Sequence, residues 1–391
     1  MMGRTGLSKR ETDRGEAFGR VKAGDLSLLE ASGLVGLSYR QGKRLWKRYG
    51  ERGAAGLQHG NCGRASNRGY SAEFRAKVLQ RVEERYADFG PTLASEHLLA
   101  DDKLEVNAET LRRWLRAAGK PVLRKRTAYR KRREPKAHFG ELVQLDGSFH
   151  KWLEERGGEG CMMHLVDDAT SQALFRFEEE ETTWAAANVL RSWIERYGVP
   201  AALYVDWKSV YVRAATAKEE LAGKVPVTQF GRMCAKLGIR IIAANSPQAK
   251  GRVERAHGTH QDRLVKKLRV AGVSSYEAAN RYVEEQYMAS HNERFARKPA
   301  SEADFHRRHP GKRELDEVFQ LEQERVVSAD WVVSYEGRLL QLERQSRRYA
   351  PAKSRVTVRE NQQGEIAILY RGYRLRYTRI AQRPASAAQA A

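Results

Sequence analysis

The chain has 391 residues, 41% of them hydrophobic, with 71 Lys/Arg against 49 Asp/Glu and a formal net charge of +22. That length and apolar share suit roughly two to four folded domains, and so large a positive charge favours a polyanionic partner, nucleic acid above all. The absence of any run of about 18 apolar residues argues against a membrane span. Three scattered cysteines and a charged N-terminus lead to the expectation of a reducing, cytoplasmic setting with no zinc site and no signal peptide.

The charge is unevenly distributed. Residues 1–136 hold 31 Lys/Arg and 16 Asp/Glu, residues 137–324 hold 27 and 28, and residues 325–391 hold 13 and 5. Basic ends around a neutral middle suggest DNA-binding parts on an enzyme core.

Residues 1–60 read as a helix-turn-helix domain. Leu26, Leu28, Leu29, Leu34 and Leu37 are apolar and helix-friendly, and Gly33 and Gly36 mark a turn. Ser38-Tyr39-Arg40-Gln41 then has the form of a capping box and opens a helix to about Tyr49. Leu45 and Tyr49 face inward, while Arg40, Gln41, Lys43, Arg44 and Lys47 are candidates to contact DNA, as on the second helix of such a motif. Gly42 weakens that helix on propensity. Residues 70–119 read as a second such domain: an apolar stripe from Phe74 to Tyr86, a break at Gly90-Pro91, and a helix capped by Asn107 that ends before Gly119. Its outward residues Arg112, Arg113 and Arg116 are DNA-contact candidates. Residues 120–137 form a basic linker with nine Lys/Arg and one acid. Arg124, Lys125, Arg126, Arg130, Lys131, Arg132 and Arg133 in it can track phosphates.

At residue 138 the pattern changes. Glu141–Asp146, Cys161–Val166 and Ala173–Phe177 read as three strands of a meander, with Asp167–Ser171 as a turn. Thr182 caps a helix that stops at Gly198 and Pro200, with Glu178–Glu181 as its solvated approach and Trp184 and Trp193 in the core. Leu203–Asp206 is a fourth strand, Thr228–Leu237 a helix and Ile239–Ala243 a fifth strand. Ser246-Pro247 is a helix start that leads through Glu254 and His257 to Arg269. The order βββαβαβα implies a mostly parallel α/β sheet covered by helices over 138–300. A helix runs from Tyr276 to about His291, 301–324 is a linker, and 325–381 is a small five- or six-stranded β-barrel with a basic surface. Residues 382–391 are a disordered tail.

Asp146 and Asp206 end two strands and Glu254 opens a helix after a neighbouring one, so the three carboxylates can meet at one edge of the sheet. Oxygen donors without His or Cys select Mg2+ or Mn2+, and two such ions about 4 Å apart can clamp the attacking and leaving oxygens of a phosphodiester. Among 49 acids many such triples exist, so position alone does not single this one out. His257 either faces the cluster or is a surface histidine. Lys250, Arg252 and Arg255 contact phosphate or pair with nearby acids.

The segments GELVQLDGS, DDATS, LYVD and NSPQAKGRVERAHGTHQDRL, in this order, resemble the DDE transposases of bacterial insertion sequences, the retroviral-integrase-like kind, and among them the ISNCY group. The resemblance runs to about residue 300. It implies an RNase H-like catalytic core with Asp146, Asp206 and Glu254 as the acids that bind two Mg2+ (or Mn2+) ions. It also implies hydrolysis at the ends of the element followed by attack of the freed 3′-OH on target DNA. The partners implied are double-stranded DNA and further copies of the chain, as a homodimer or larger assembly, at the bacterial nucleoid. Two departures stand out. Trp207-Lys208-Ser209 follows the second acid where a basic residue and histidine are expected, and helix-turn-helix units replace a zinc-binding N-terminal domain. A DNA-binding regulator and a structure-selective nuclease on the same fold are the competing readings.

Overall fold

The computed structural model describes residues 8–59, 69–120, 133–221, 223, 226–244, 251–344 and 350–382. It divides into two compact units, Met1–Leu123 and Arg124–Ala391.

In the first unit, three serine caps set three helices. Ser8, Ser27 and Ser38 each form a reciprocal capping box, with Glu11, Glu30 and Gln41 respectively. The helices they open are α1 (Lys9–Ala23), α2 (Leu28–Leu34) and α3 (Tyr39–Arg52). Each box satisfies backbone N–H groups that the first turn leaves without helical partners. Phe18, Ala31 and Leu57 are buried among Leu26, Leu45, Trp46 and Tyr49. Gly42 has a packing reason: a Cβ there would stand 1.9 Å from Ser32 Oγ on α2. The glycine thus lets α2 and α3 approach closely and offsets its poor helix propensity. The second helical group comprises α4 (Ala72–Arg85), α5 (Pro91–Ala100) and α6 (Ala108–Ala117). They close over Val78, Val82, Leu93, Leu98, Leu111 and Leu115. Asn107 caps α6, and Gly119 takes the left-handed conformation just beyond it.

The second unit is built on a five-stranded mixed sheet in the order β3-β2-β1-β4-β5. The strands are β1 (Val143–His150), β2 (Gly160–Asp167), β3 (Ala173–Glu178), β4 (Ala202–Val205) and β5 (Arg240–Ala243). The βββαβαβα order holds with α7 (Thr183–Tyr197), α9 (Gln229–Lys236) and α10 (Gly251–Val270) as its helices, apart from an additional short α8 (Ala217–Leu221) between β4 and α9. Ser246-Pro247, expected to start the last helix, lies outside the described residues, as do Lys250 and Arg124–Arg132. Two expectations about this sheet are corrected. It is mixed rather than mostly parallel, since β1 pairs antiparallel with β2 and β2 with β3. β1 does not end at Asp146 but continues to His150, because β2 pairs antiparallel along all of it, from Val143 opposite Asp167 to His150 opposite Gly160.

Strand alternation assigns the two faces. Val143, Leu145, Leu203 and Val205 join the α7 and α9 side chains on one face. Met162, Phe175 and Phe177 pack on the other against α10, α11 (Tyr276–Tyr282) and α12 (Met288–Phe295). A π-helical turn, Val283–Tyr287, joins α11 to α12.

The stretch expected to be a linker, 301–324, is packed rather than extended. Asp304 bridges Phe139 and Arg307 bridges Val199, and Trp193 Nε1 donates to His306 Nε2 at 3.0 Å. Leu315 and Val318 of α13 (Lys312–Val318) join the α7 core. The basic and acidic residues of this stretch hide these few anchors in the sequence. The C-terminal part also differs from a five- or six-stranded barrel. Its described residues hold seven strands in two sheets: β6 (Leu321–Val326), β7 (Val332–Tyr335), β8 (Arg338–Leu342), β9 (Arg355–Glu360), β10 (Ile366–Tyr370), β11 (Tyr373–Leu375) and β12 (Tyr377–Ile380). They are ordered β11-β10-β9-β6 and β12-β8-β7 around Val333, Leu340, Val358 and Ile368. Glu322 on β6 fastens this part to α9 by ion pairs with Lys236 at 2.6 Å and Arg232 at 3.2 Å, and it also pairs with Arg359 of β9 at 2.8 Å. Burial opposes its charge, but these cations hold its carboxyl below the usual range. No helix among the described residues is long and apolar enough to cross a membrane.

The close α2–α3 approach gives a test. Gly42→Ala should destabilise the first helical group by about 1–3 kcal/mol through overpacking, read as faster amide exchange across α2 and α3. Removing the obstructing hydroxyl with Ser32→Ala should recover part of that stability. Unchanged exchange in Gly42→Ala would show that the helices are not tightly apposed there.

Candidate active site

The site begins with a backbone register. β1 and β4 run parallel, with Val143 opposite Leu203 and Gln144 opposite Tyr204. Carried two residues on, the same offset sets Asp206, just past β4, level with Asp146. Neighbouring strands lie about 4.8 Å apart and alternate residues share a face. Both aspartates therefore leave the sheet on the side that α10 covers. Their side chains keep some solvent access, 17% for Asp146 and 32% for Asp206.

α10 lies along that face of β1. The Val253 N–H donates to Gln144 Oε1 at 3.3 Å, His257 Nδ1 stands 3.9 Å from Asp146 Oδ2, and Gln261 Nε2 donates to Ser148 Oγ at 3.4 Å. Three alternate positions of the strand thus meet three successive turns of the helix. His257 faces the cluster and is buried. Glu254 is exposed, one turn before His257, where side chains at i and i+3 are neighbours. The fold brings Asp146 and Asp206 together and puts Glu254 on the adjoining helix. Among the described residues, no group of three His, Cys, Asp or Glu is close enough to hold a metal ion.

Two residues beside the aspartates carry no functional assignment from the sequence. Lys208 Nζ lies 2.5 Å from Glu181 Oε2 and 3.7 Å from Asp206 Oδ2. Burial works against its charge, but Glu181, then Asp206 and Asp146, outweigh it and hold the ammonium above the ordinary lysine range. Glu181 is expected from the sequence to be solvated, yet its side chain is only 5% exposed. Tyr211 donates to its second oxygen at 2.8 Å. Gly147 makes room for it, since a Cβ there would meet Glu181 Oε2 at 2.5 Å. For Lys208 a signal exists in the sequence, as the basic residue in the departure after the second acid. For Glu181 there is none, because only the fold brings residue 181 to residue 208.

The proposed DNA contacts divide. Arg40, Gln41, Lys43, Arg44, Lys47, Arg113 and Arg116 are exposed, although Gln41 also closes the α3 cap and Lys43 lies over the Tyr39 ring. Arg112 pairs with Glu109. Arg133 and Arg252 both go to Asp168. Arg255 is exposed on α10.

Beneath α10, His164, His257, His260 and His291 form a chain of ring contacts. Tyr287 Oη lies 3.0 Å from His260 Nδ1 and 3.5 Å from His291 Nδ1. Burial, followed by the neighbouring histidines, pushes His260 well below its ordinary value. Burial, followed by Arg263 and Lys267, pushes His291 down to about 4.

No family model matches the chain. It is 36% identical over 379 residues to a protein of Sinorhizobium fredii named as a transposase, y4bF, with 96% of this chain and 82% of that one covered. It is 26% identical over 342 residues to the transposase for insertion sequence IS1202 of Streptococcus pneumoniae, covering 78% of this chain and 72% of that one. Among solved structures it matches the HTLV-2 integrase catalytic core domain in complex with magnesium at 17% identity and a TM-score of 0.29, over 38% of this chain and 88% of that one. The BIV integrase catalytic core matches at 23% identity and a TM-score of 0.27, over 40% and 85%.

The buried histidines make stability depend on pH. The folded values of His164, His260 and His291 lie below the unfolded value of about 6.5, so the unfolded chain binds protons first as pH falls. Their stability contribution is complete above about 6.5 and is lost below it, at up to about 1.4 kcal/mol per pH unit per histidine. The thermal midpoint should therefore drop on going from pH 7 to pH 5, and less steeply in His260→Phe. An equal slope in the variant would remove His260 from the account.

Proposed function

The chain belongs to the transposases of insertion sequences, and from that premise we propose that it is a DDE enzyme that binds the ends of its element, cleaves there and joins the freed 3′-OH to target DNA. The observation that carries this reading is the β1–β4 register, which levels Asp206 with Asp146 under the helix that bears Glu254. In the first step a water oxygen bonds to phosphorus and the element's 3′ oxygen departs as a 3′-OH. In the second, that 3′-OH bonds to a target phosphorus and a target 3′ oxygen departs. Tyr204, Tyr211 and Ser209 are not needed as nucleophiles.

The donor set fits one or two divalent ions: Asp146, Asp206 and Glu254 offer hard carboxylate oxygens suited to Mg2+ or Mn2+. Such ions supply charge stabilisation at the attacking and leaving oxygens of an in-line displacement. The chain's own part is to gather the acids. The β1–β4 register leads into the two aspartates, and α10 carries Glu254 in its first turn, one turn before His257. Lys208 offsets the charge of the acids from one side. His257 packs against Asp146 on the other and limits where its carboxylate can swing.

The domain organisation proposed is a helix-turn-helix domain at 1–60 and a second at 70–119, a basic linker at 120–137, an RNase H-like core from 138 to about 300 with the following segment packed on it, and a β domain that starts with β6 at Leu321. The exposed basic residues of α3 and α6 contact phosphates and base edges of double-stranded DNA. Two ends are held together by a homodimer or larger assembly in the cytoplasm.

The test is strand transfer with element-end DNA and Mg2+. Asp146→Asn, Asp206→Asn and Glu254→Gln should each lower cleavage and joining by at least about a hundredfold and leave end binding intact. Arg44→Gln with Lys47→Gln should do the reverse, weakening binding and lowering the salt slope by about one for each phosphate no longer neutralised. Cleavage without joining would make the protein a nuclease. Binding without cleavage would make it a regulator.

A further inference from the structure

Asp168 carries a charge in a place where a turn does not need one. Its side chain is fully buried. The turn after β2 is already closed by its neighbour: Asp167 accepts the Thr170 N–H and hydroxyl, each at 2.7 Å, and the Gly140 N–H at 3.0 Å. Asp168 instead gathers three distant segments. Its Oδ1 accepts Arg133 Nη2 at 2.5 Å, Gln144 Nε2 at 2.7 Å and Arg252 Nε at 3.1 Å, and its Oδ2 accepts the Lys136 N–H at 2.8 Å.

Each of those partners leads somewhere functional. Gln144 lies two residues before Asp146 and turns its other side-chain atom to the Val253 N–H, at 3.3 Å. Arg252 lies two residues before Glu254, and its Nη1 also reaches Ser171 Oγ at 3.4 Å. Arg133 and Lys136 end the basic linker. A buried carboxylate stripped of its cations is strongly disfavoured, so the three segments are held at fixed mutual positions or the charge is stranded.

We propose that Asp168 is a positioning residue for Glu254. It clasps the end of the basic linker to the first turn of α10, with Arg133 and Arg252 as its internal counter-ions rather than contacts to DNA phosphate. The placement of the third acid thereby depends on how the linker is seated. This rests on the reading of Glu254 as a catalytic acid.

Arg133→Gln and Arg252→Gln test it, because both partners are partly exposed and their replacement leaves the core intact, whereas Asp168→Asn disturbs a buried network. Each should lower the turnover of strand transfer by about tenfold or more. The affinity for end DNA and its salt slope should stay as in the unchanged protein, and Arg133→Lys should recover part of the turnover. Without DNA or metal, exchange of the Val253 amide should be faster in both glutamine variants. A fall in affinity with a salt slope reduced by about one per variant, at normal turnover, would make these arginines phosphate contacts and overturn the clasp. So would unchanged Val253 exchange. If Glu254→Gln kept full activity, the catalytic reading would fail instead, while the exchange result would still report on the clasp by itself.

Discussion

Parallel hydrogen bonding between β1 and β4 is the constraint from which the site follows. The ladder pairs Val143 with Leu203 and Gln144 with Tyr204, and Asp146 and Asp206 each follow two residues on, whatever their charge. A one-residue slip would turn Asp206 to the opposite face. The register is held by the apolar residues between: Leu145, Leu203 and Val205 are fully buried against α7 and α9. The hydrophobic core on one face of the sheet thus fixes the charged geometry on the other.

The charge so gathered is balanced from one side and covered from the other. Lys208, steadied by buried Glu181 and Tyr211, stands at Asp206. Along β1, α10 lays down Val253, His257 and Gln261 in step with Gln144, Asp146 and Ser148. Beneath the helix, burial disfavours the charged forms of His164, His260 and His291. Asp168 then ties the start of this helix to β1 and to the end of the linker.

What is legible in the sequence is what depends on local pattern. Period-two runs mark β2, β3 and β5 within a residue or two, and serine, threonine and asparagine caps mark α3, α6, α7 and α9. The capping box Ser8-Lys9-Arg10-Glu11 is of the same kind, but no clear apolar stripe follows it, and α1 emerges only from the structure. The three acids stand out through motif resemblance, and the fold order that draws two of them together follows from alternation of strands and helices. The rest is hidden because it is set by distant partners. β1 extends past Asp146 only because β2 returns alongside it. Glu181 is buried only because Gly147, Lys208 and Tyr211 surround it. Arg133 and Arg252 look like phosphate contacts in the sequence because nothing local reveals that Asp168 lies within reach of both. The 301–324 stretch looks like a linker because its anchors, His306, Leu315 and Val318, are scattered among charges.

The central claim is that Asp146, Asp206 and Glu254 share divalent cations. It is tested most directly by replacing Mg2+ with Fe2+, adding ascorbate and peroxide, and mapping where the backbone is cut by radicals formed at the bound ion. The account predicts three cut sites, around residues 146, 206 and 254, all suppressed by excess Mg2+ and by Asp146→Asn. Cuts near 146 and 206 with none at the start of α10, with or without end DNA, would contradict it.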